Sequence, residues 1–240
     1  MSSGKLAVFL DIGNTLFYEK RDSHYGWASV IANAISNETE YMVSSVDLLS
    51  NFTVIRNNLM NLWGEVEVSH ELVLAMTLRE LGIPPKPETV KRIYDLFIDS
   101  ITDMMIPFEG TAAFLERLSK FNIQLGVISN TGSHRLIISI LEKYDFLDYF
   151  SAVITSELVG WKKPNPKIFE IALKMLNASS NRAVYIGDDP YADIYGAKKM
   201  GMIAVQLLRT GSDKLAKEAD YVARTYDDVL NFIRQKITNE

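Results

Sequence analysis

Leu6-Ala7-Val8-Phe9-Leu10-Asp11-Ile12-Gly13-Asn14-Thr15-Leu16 decides how the rest of this 240-residue sequence is read. Five apolar residues run straight into an aspartate, and a Gly-Asn-Thr turn follows. A short apolar run ended by turn residues fits a strand buried on both faces. Asp11 then stands at the carboxyl end of that strand, the edge where open α/β sheets place their ligands. Capping of a turn fits Asp11 equally well on this stretch alone, so the flanking chain has to decide.

Directly after Leu16 the pattern changes to that of amphipathic helices. Leu48, Phe52, Ile55, Leu59 and Leu62 recur at four- and three-residue steps, one face of a 3.6-residue period. Val90, Ile93, Phe97, Ile101 and Met104 do the same. Leu74, Leu78 and Leu81 form a third such face, closed by Gly82, Pro84 and Pro85. Trp27, Val30, Ile31 and Ala34 suggest a fourth. Residues 17–106 therefore read as a helical bundle inserted after the first strand.

From Pro107 onward, strands and helices alternate. A helix over Ala112–Leu118 leads to a strand at Ile123–Ser129, then a helix at Leu136–Tyr144 and a strand at Ala152–Thr155. Asn165 and Pro166 are N-cap and first-turn residues for a helix at Lys167–Leu176. A strand at Ala183–Ile186, a helix ending near Gly201 and a strand at Ile203–Leu207 follow. Such alternation predicts an α/β fold: a doubly wound, Rossmann-like parallel sheet with helices on both faces. Residues 1–16 and 107–240 make up this core, and 17–106 the insert.

Composition agrees with a packed chain and narrows its function. Nearly half the residues are hydrophobic (48%), with only 13 Gly and 7 Pro, as in a globular protein. The net charge of −5, without a dense Lys/Arg cluster, argues against a nucleic-acid partner. The absence of cysteine excludes disulfides, thiolate metal sites and a cysteine nucleophile. No apolar run approaches the length of a membrane span, and the opening run is too short for a secretory segment. The expectation is a cytoplasmic protein that does not engage membranes.

The strand pattern gives Asp11 company. Ser129 ends the second strand of the core, in Ile128-Ser129-Asn130-Thr131-Gly132. Lys163 follows the third, in Gly160-Trp161-Lys162-Lys163-Pro164-Asn165-Pro166. Asp188, Asp189 and Asp193 follow the fourth. In a parallel sheet all carboxyl ends share one edge, so these groups converge. Several acids at one point repel unless a cation sits among them, and oxygen ligands without His or Cys suit Mg²⁺. A hydroxyl and a lysine beside a metal-bound carboxylate suit a phosphoryl group. Asp11 is then placed to attack phosphorus while Lys163 stabilises developing charge. Taken singly, Ser129 fits a turn hydroxyl, Lys163 a solvated loop lysine, and Asp188 or Asp193 a helix cap.

Together these residues resemble the four motifs of the haloacid dehalogenase-like hydrolase superfamily, mostly magnesium-dependent phosphatases. Phe9-Leu10-Asp11-Ile12-Gly13-Asn14-Thr15-Leu16 is similar to the first motif and Ile128-Ser129-Asn130 to the second. Lys163-Pro164-Asn165-Pro166-Lys167-Ile168-Phe169 is close to the third. Gly187-Asp188 with Asp193, running on to Gly196-Ala197 and Gly201-Met202, matches the fourth. The resemblance implies a phosphatase of a small phosphorylated metabolite, with Asp11 as nucleophile and Ser129 and Lys163 on the phosphoryl group. Asn130, Asn14 and Thr15, which adjoin them in the first two motifs, are counted with the substrate-binding set. It also implies Mg²⁺ on Asp11, the Gly13 carbonyl and Asp188, with Asp193 in support, and a mobile cap in the insert.

One position departs from the pattern. Family phosphatases mostly carry a second aspartate two residues after the nucleophile, which protonates the leaving oxygen; here that residue is Gly13. General acid catalysis is worth about 10²–10⁴ in rate, so Tyr18, Glu19 and His24 become candidate donors. The gap also admits two other readings: a phospho-ligand binding protein with little turnover, or a haloacid dehalogenase, which needs no such acid. Asp188 and Asp193 argue against the last. Trp27, Trp63, Tyr25 and Arg56 are candidates to line a pocket in the insert or to fill its core.

Overall fold

β1 (Leu6–Leu10) lies in the middle of the sheet, hydrogen-bonded on both sides. The computed structural model describes residues 5–20, 26–38, 40–209 and 214–238. After β1 come a short strand β2 (Phe17–Glu19), helices α1 (Gly26–Glu38), α2 (Ser45–Trp63), α3 (His70–Glu80) and α4 (Pro87–Met104), and strand β3 (Met105–Pro107). The remainder runs α5 (Thr111–Ser119), β4 (Ile123–Ser129), α6 (His134–Lys143), β5 (Ala152–Thr155), α7 (Ser156–Val159), α8 (Pro166–Met175) and β6 (Ala183–Gly187). A π-helical turn over Pro190–Tyr195 continues into α9 (Gly196–Lys199), followed by β7 (Ile203–Leu207), β8 (Tyr221–Ala223) and α10 (Tyr226–Thr238).

Among the described residues the main sheet has six parallel strands in the order β5-β4-β1-β6-β7-β8. Chain order reverses at β1: β4 and β5 extend to one side and β6 to β8 to the other. That divergence opens a crevice at the carboxyl edge. The alternation of side chains along β1 explains its unbroken apolar run. Ala7 and Phe9 pack on one face with Ile128, Phe169 and Tyr185. Leu6, Val8 and Leu10 pack on the other with Phe114, Val127 and Ile186, in a core that continues into the insert through Leu16, Phe17 and Trp27.

The expected strands and helices are present to within a few residues at their ends. The insert differs at its ends: Phe17–Glu19 and Met105–Pro107 are not helical but pair antiparallel as a two-stranded ribbon. Its helical faces also shift. Leu48, Phe52 and Ile55 are buried, but Leu62 and Val30 are exposed because the stripe turns away from the neighbouring helices at those positions. A segment before α3 ties the insert to the core. Lys162 N–H donates to Glu65 O (2.8 Å), Glu67 N–H to Gly160 O (3.1 Å), and His70 N–H to Gly132 O (2.8 Å). Ser156 Oγ donates to the buried Glu67 carboxylate at 2.6 Å. Among the described residues, no helix is long and apolar enough to cross a membrane.

Candidate active site

The strand ends bring Asp11, Ser129, Lys163 and Asp188 to one cleft of about 220 Å³, also lined by Gly13, Asn130, Asp189, Ala192 and Asp193. Asp11 is fixed by its own backbone, whose N–H donates to Ile186 O of β6 at 2.9 Å. Its carboxylate Oδ1 accepts from Lys163 Nζ at 2.7 Å. The same ammonium reaches Asp193 Oδ1 (2.7 Å), Tyr185 Oη (2.7 Å) and Ile128 O (2.9 Å). Four oxygens face three N–H hydrogens, so one hydrogen is shared. Tyr185 Oη in turn lies 2.9 Å from Asp193 Oδ1 and 3.0 Å from Ile128 O, placed to donate to one of them.

Lys163 and Asp193 are almost completely buried. A lysine so enclosed is stable as a cation only with close acidic partners. Burial works against its charge, but Asp11 and Asp193 outweigh that and hold its pKa above the usual lysine range. Burial, followed by Asp193 and Asp11, raises the Tyr185 hydroxyl well above its ordinary value, so it remains a donor. Asp11 is pushed up to about 7 by burial, against the pull of Lys163, with Asp193 and Asp188 adding to the rise. Asp188 is held at about 6 by burial and by Asp193 and Asp189. The cleft therefore carries more acid than its one lysine balances.

The turn after β6 aims Asp193. Asp189, and neither Asp188 nor Asp193, caps it, its Oδ1 accepting from the N–H groups of Tyr191 (2.8 Å) and Ala192 (2.7 Å). Asp193 points back to the strand, where its Oδ2 accepts from Asp189 N–H at 3.0 Å. Only glycine fits at 187, since a methyl there would lie 2.3 Å from Asp193 Oδ2. The Asp188 carbonyl is held by Gln206 Nε2 at 3.0 Å.

Asn130 adjoins the cleft, but its amide is engaged with the Lys163 backbone: Nδ2 donates to Lys163 O (2.9 Å) and Oδ1 accepts from Lys163 N–H (2.7 Å). Asn14 and Thr15, expected in the substrate-binding set, are not among the residues that line the cleft. Asn14 takes the left-handed turn conformation (φ 54°) and is exposed. Thr15 is fully buried, its carbonyl accepting from Arg209 and from Tyr226 Oη (2.9 Å).

Of the candidate proton donors, Tyr18 packs on Phe108 and Glu19 is exposed; neither lines the cleft. His24 lies outside the described residues, as does Tyr25. Trp63 is partly exposed, whereas Trp27 and Arg56 line a second cavity, in the insert.

Tyr185 and Gln206 are the functional neighbours that the sequence patterns did not single out. Gln206 left a signal, a lone amide in the apolar run Ile203–Leu207. Tyr185 left none, since a tyrosine inside a strand is ordinary core.

Asp11, Asp188 and Asp193 each offer a carboxylate oxygen within 4.8 Å of the others. With the Gly13 backbone at the same cleft and no nitrogen or sulfur donor in the set, these groups fit a hard divalent cation.

Comparison with known proteins agrees with this geometry. Residues 63–206, more than half the chain, match the family described as haloacid dehalogenase-like hydrolase. A glyceraldehyde 3-phosphate phosphatase of Methanopyrus kandleri is 28% identical over 94% of this chain and 91% of its own length. A ribulose-1,5-bisphosphate 5-phosphatase of Halopiger xanaduensis is 26% identical over 90% of each. In fold, a 2-haloacid dehalogenase from Pseudomonas syringae superposes with a TM-score of 0.73 at 20% identity, covering 95% of this chain and 98% of its own. A phosphatase from Thermococcus onnurineus superposes at 0.66 with 24% identity, over 95% and 97%. On the family match and the parallel sheet that carries these four strand-end motifs, the chain belongs to the haloacid dehalogenase-like hydrolases.

Proposed function

We propose that this hydrolase is a Mg²⁺-dependent phosphatase of small phosphorylated metabolites, with Asp11 as the nucleophile, and that it works in the cytoplasm. The observation that carries the reading is the buried triad at the sheet edge. Lys163 Nζ lies 2.7 Å from both Asp11 and Asp193, within a ring of acids that one lysine cannot neutralise. Relatives that match nine-tenths of the chain and are named as phosphatases of a triose phosphate and a sugar bisphosphate support the substrate class.

With Oδ1 held by Lys163, Oδ2 of Asp11 is the oxygen available to attack. It forms a bond to phosphorus as the phosphorus–oxygen bond to the leaving group breaks, giving an aspartyl-phosphate. Lys163 and Ser129 face the transferring group and oppose its charge. Water then attacks the acyl phosphate, releases inorganic phosphate and restores Asp11. Asp11, Asp188 and the Gly13 carbonyl are the groups that would hold the cation. Asp193, both of whose oxygens are already engaged, supports them. When bound, the ion supplies positive charge against the phosphoryl oxygens.

Gly13 offers no proton to the leaving oxygen, so water must provide it. Substrates with good leaving groups, such as aryl or acyl phosphates, are favoured accordingly. The two other readings are weaker. The acid cluster suits phosphate chemistry better than carbon–halogen hydrolysis, and an intact nucleophile–lysine pair suits turnover better than binding alone. The helical insert, hinged at the β2–β3 ribbon, acts as the cap that excludes water from the cleft.

A panel of phosphorylated metabolites assayed with Mg²⁺ tests the proposal. We expect steady phosphate release from at least one small phosphomonoester, abolished by Asp11→Asn and by chelation. Equal release by Asp11→Asn would overturn it.

A further inference from the structure

The helical insert contains a cavity of about 210 Å³ that the hydrolytic reading leaves without a role. Its walls are the rings of Trp27, Phe52 and Phe97, with Ile101 beside them. Trp27 meets Phe52 at 5.0 Å and Phe97 at 5.1 Å between centroids, both edge-on. Four polar side chains break this apolar lining: Thr53 and Asn57, which are exposed, and Arg56 and His70, which are less so.

Among the described residues, neither the Arg56 guanidinium nor His70 Nδ1 has a partner. Arg56 has no ion-pair partner among the described residues, and no acid lines the cavity. His70 Nδ1 is buried without a hydrogen-bond partner. Most buried polar atoms in folded proteins are paired, and leaving one unpaired is costly. Burial, with Arg56 adding to it, lowers the His70 pKa to about 3, so the imidazole stays neutral and can offer an Nδ1–H donor. An unpaired guanidinium and a neutral ring nitrogen beside three aromatic rings call for an acidic group on a planar, apolar body.

Size agrees. A cavity of about 150 Å³ lined by apolar residues accommodates benzene, so 210 Å³ holds an aromatic ring bearing a carboxylate. We propose that this cavity binds a small organic anion, its acidic group on Arg56 and His70 and its body between Trp27, Phe52 and Phe97. The site also touches the core. His70 donates its backbone N–H to Gly132 O, and a methyl at Gly132 would fall 2.4 Å from His70 Cδ2. Gly132 lies three residues beyond Ser129, so a bound anion rests against the loop that borders the catalytic cleft.

The same chemistry has two possible sources, the far end of a phosphorylated substrate or a free carboxylate, and only the first rests on the phosphatase reading. The test is direct binding of benzoate to the full chain, followed by ligand-observed magnetic resonance, with benzamide as the neutral isostere. We expect benzoate to bind and benzamide to bind at least about 10-fold more weakly. Arg56→Gln is expected to weaken benzoate about 10–100-fold, Arg56→Lys to fall between, and His70→Phe to lose less than Arg56→Gln. Arg56→Lys keeps the charge and serves if the glutamine variant does not fold.

If the anion is part of the substrate, benzoate competes with a carboxyphenyl phosphate, and Arg56→Gln raises its KM without raising that of phenyl phosphate. If it is a free ligand, benzoate binds with unchanged KM for both. Absence of benzoate binding, or equal binding of benzamide or by Arg56→Gln, would overturn the proposal. None of these binding results depends on whether the chain turns over.

Discussion

In the core cleft four acids, Asp11, Asp188, Asp189 and Asp193, gather around one lysine; in the insert cavity one arginine meets no acid among the described residues. The difference follows from where each set is placed. The cleft groups stand at strand ends held by backbone pairing, so their positions are set by the sheet and their charges bind one another. Lys163, Tyr185 and Asp193 are mutually hydrogen-bonded and nearly inaccessible. The cavity groups project from three separate helices and from the start of α3. What Arg56 and His70 Nδ1 lack is a partner among the described residues. Both sites have an unbalanced charge, and in each the imbalance names the sign of what should bind.

Removing the lysine tests the cleft most severely. Lys163→Met should cut turnover about 10³-fold and lower stability by about 3–5 kcal/mol, because Asp11 and Asp193 lose their buried partner. Thermal melting and steady-state kinetics read both; normal stability would mean that the acids do not depend on the lysine. Next in size is a gain. A side chain at Gly13 would meet nothing within 4 Å of its Cβ, so Gly13→Asp can place an acid at the cleft without a clash. It should raise kcat on alkyl phosphates about 10²-fold and change aryl phosphates little. An equal change for both classes would show that leaving-group protonation is not what the site lacks.

Gly187→Ala drives a methyl into Asp193 and should cost about 1–3 kcal/mol along with some turnover. A silent substitution would show Asp193 to be loosely held.

The smallest effect concerns protons. Without a cation, the raised pKa values of Asp11 (about 7) and Asp188 (about 6) mean that the folded state holds protons the unfolded state releases. Their contribution therefore favours the fold at low pH and is lost as pH rises from about 4 to about 7. A cation requires both to be ionised and reverses the trend. Mg²⁺ at ten times its Kd should add roughly 1.4 kcal/mol, a few degrees in melting temperature, near neutral pH and much less near pH 5. A shift independent of pH would place the ion elsewhere.

The sheet and the cleft were largely legible because both are written in local patterns. Apolar runs that stop at Asp11, Ser129 and Asp188 mark strand ends, and parallel topology does the converging. Three-residue strands carry too little period to be read, so the β2–β3 ribbon and β8 were missed. The last helix escaped notice although Val229, Leu230, Ile233 and Ile237 carry a helical spacing. Tyr185 was invisible because its hydroxyl matters only through what lies above the strand. Beyond Gly13 the turn after Asp11 leaves the cleft, with Asn14 exposed and Thr15 in the core, a placement that the motif alone does not give.

The account rests on a covalent bond to one oxygen of Asp11. Rapid acid quench during turnover of an aryl phosphate with Mg²⁺, followed by peptide mass analysis, measures it directly. The prediction is one added phosphoryl group on the peptide containing Asp11, lost on chase with water and absent without the metal. Sustained phosphate release with that peptide never labelled would contradict the account.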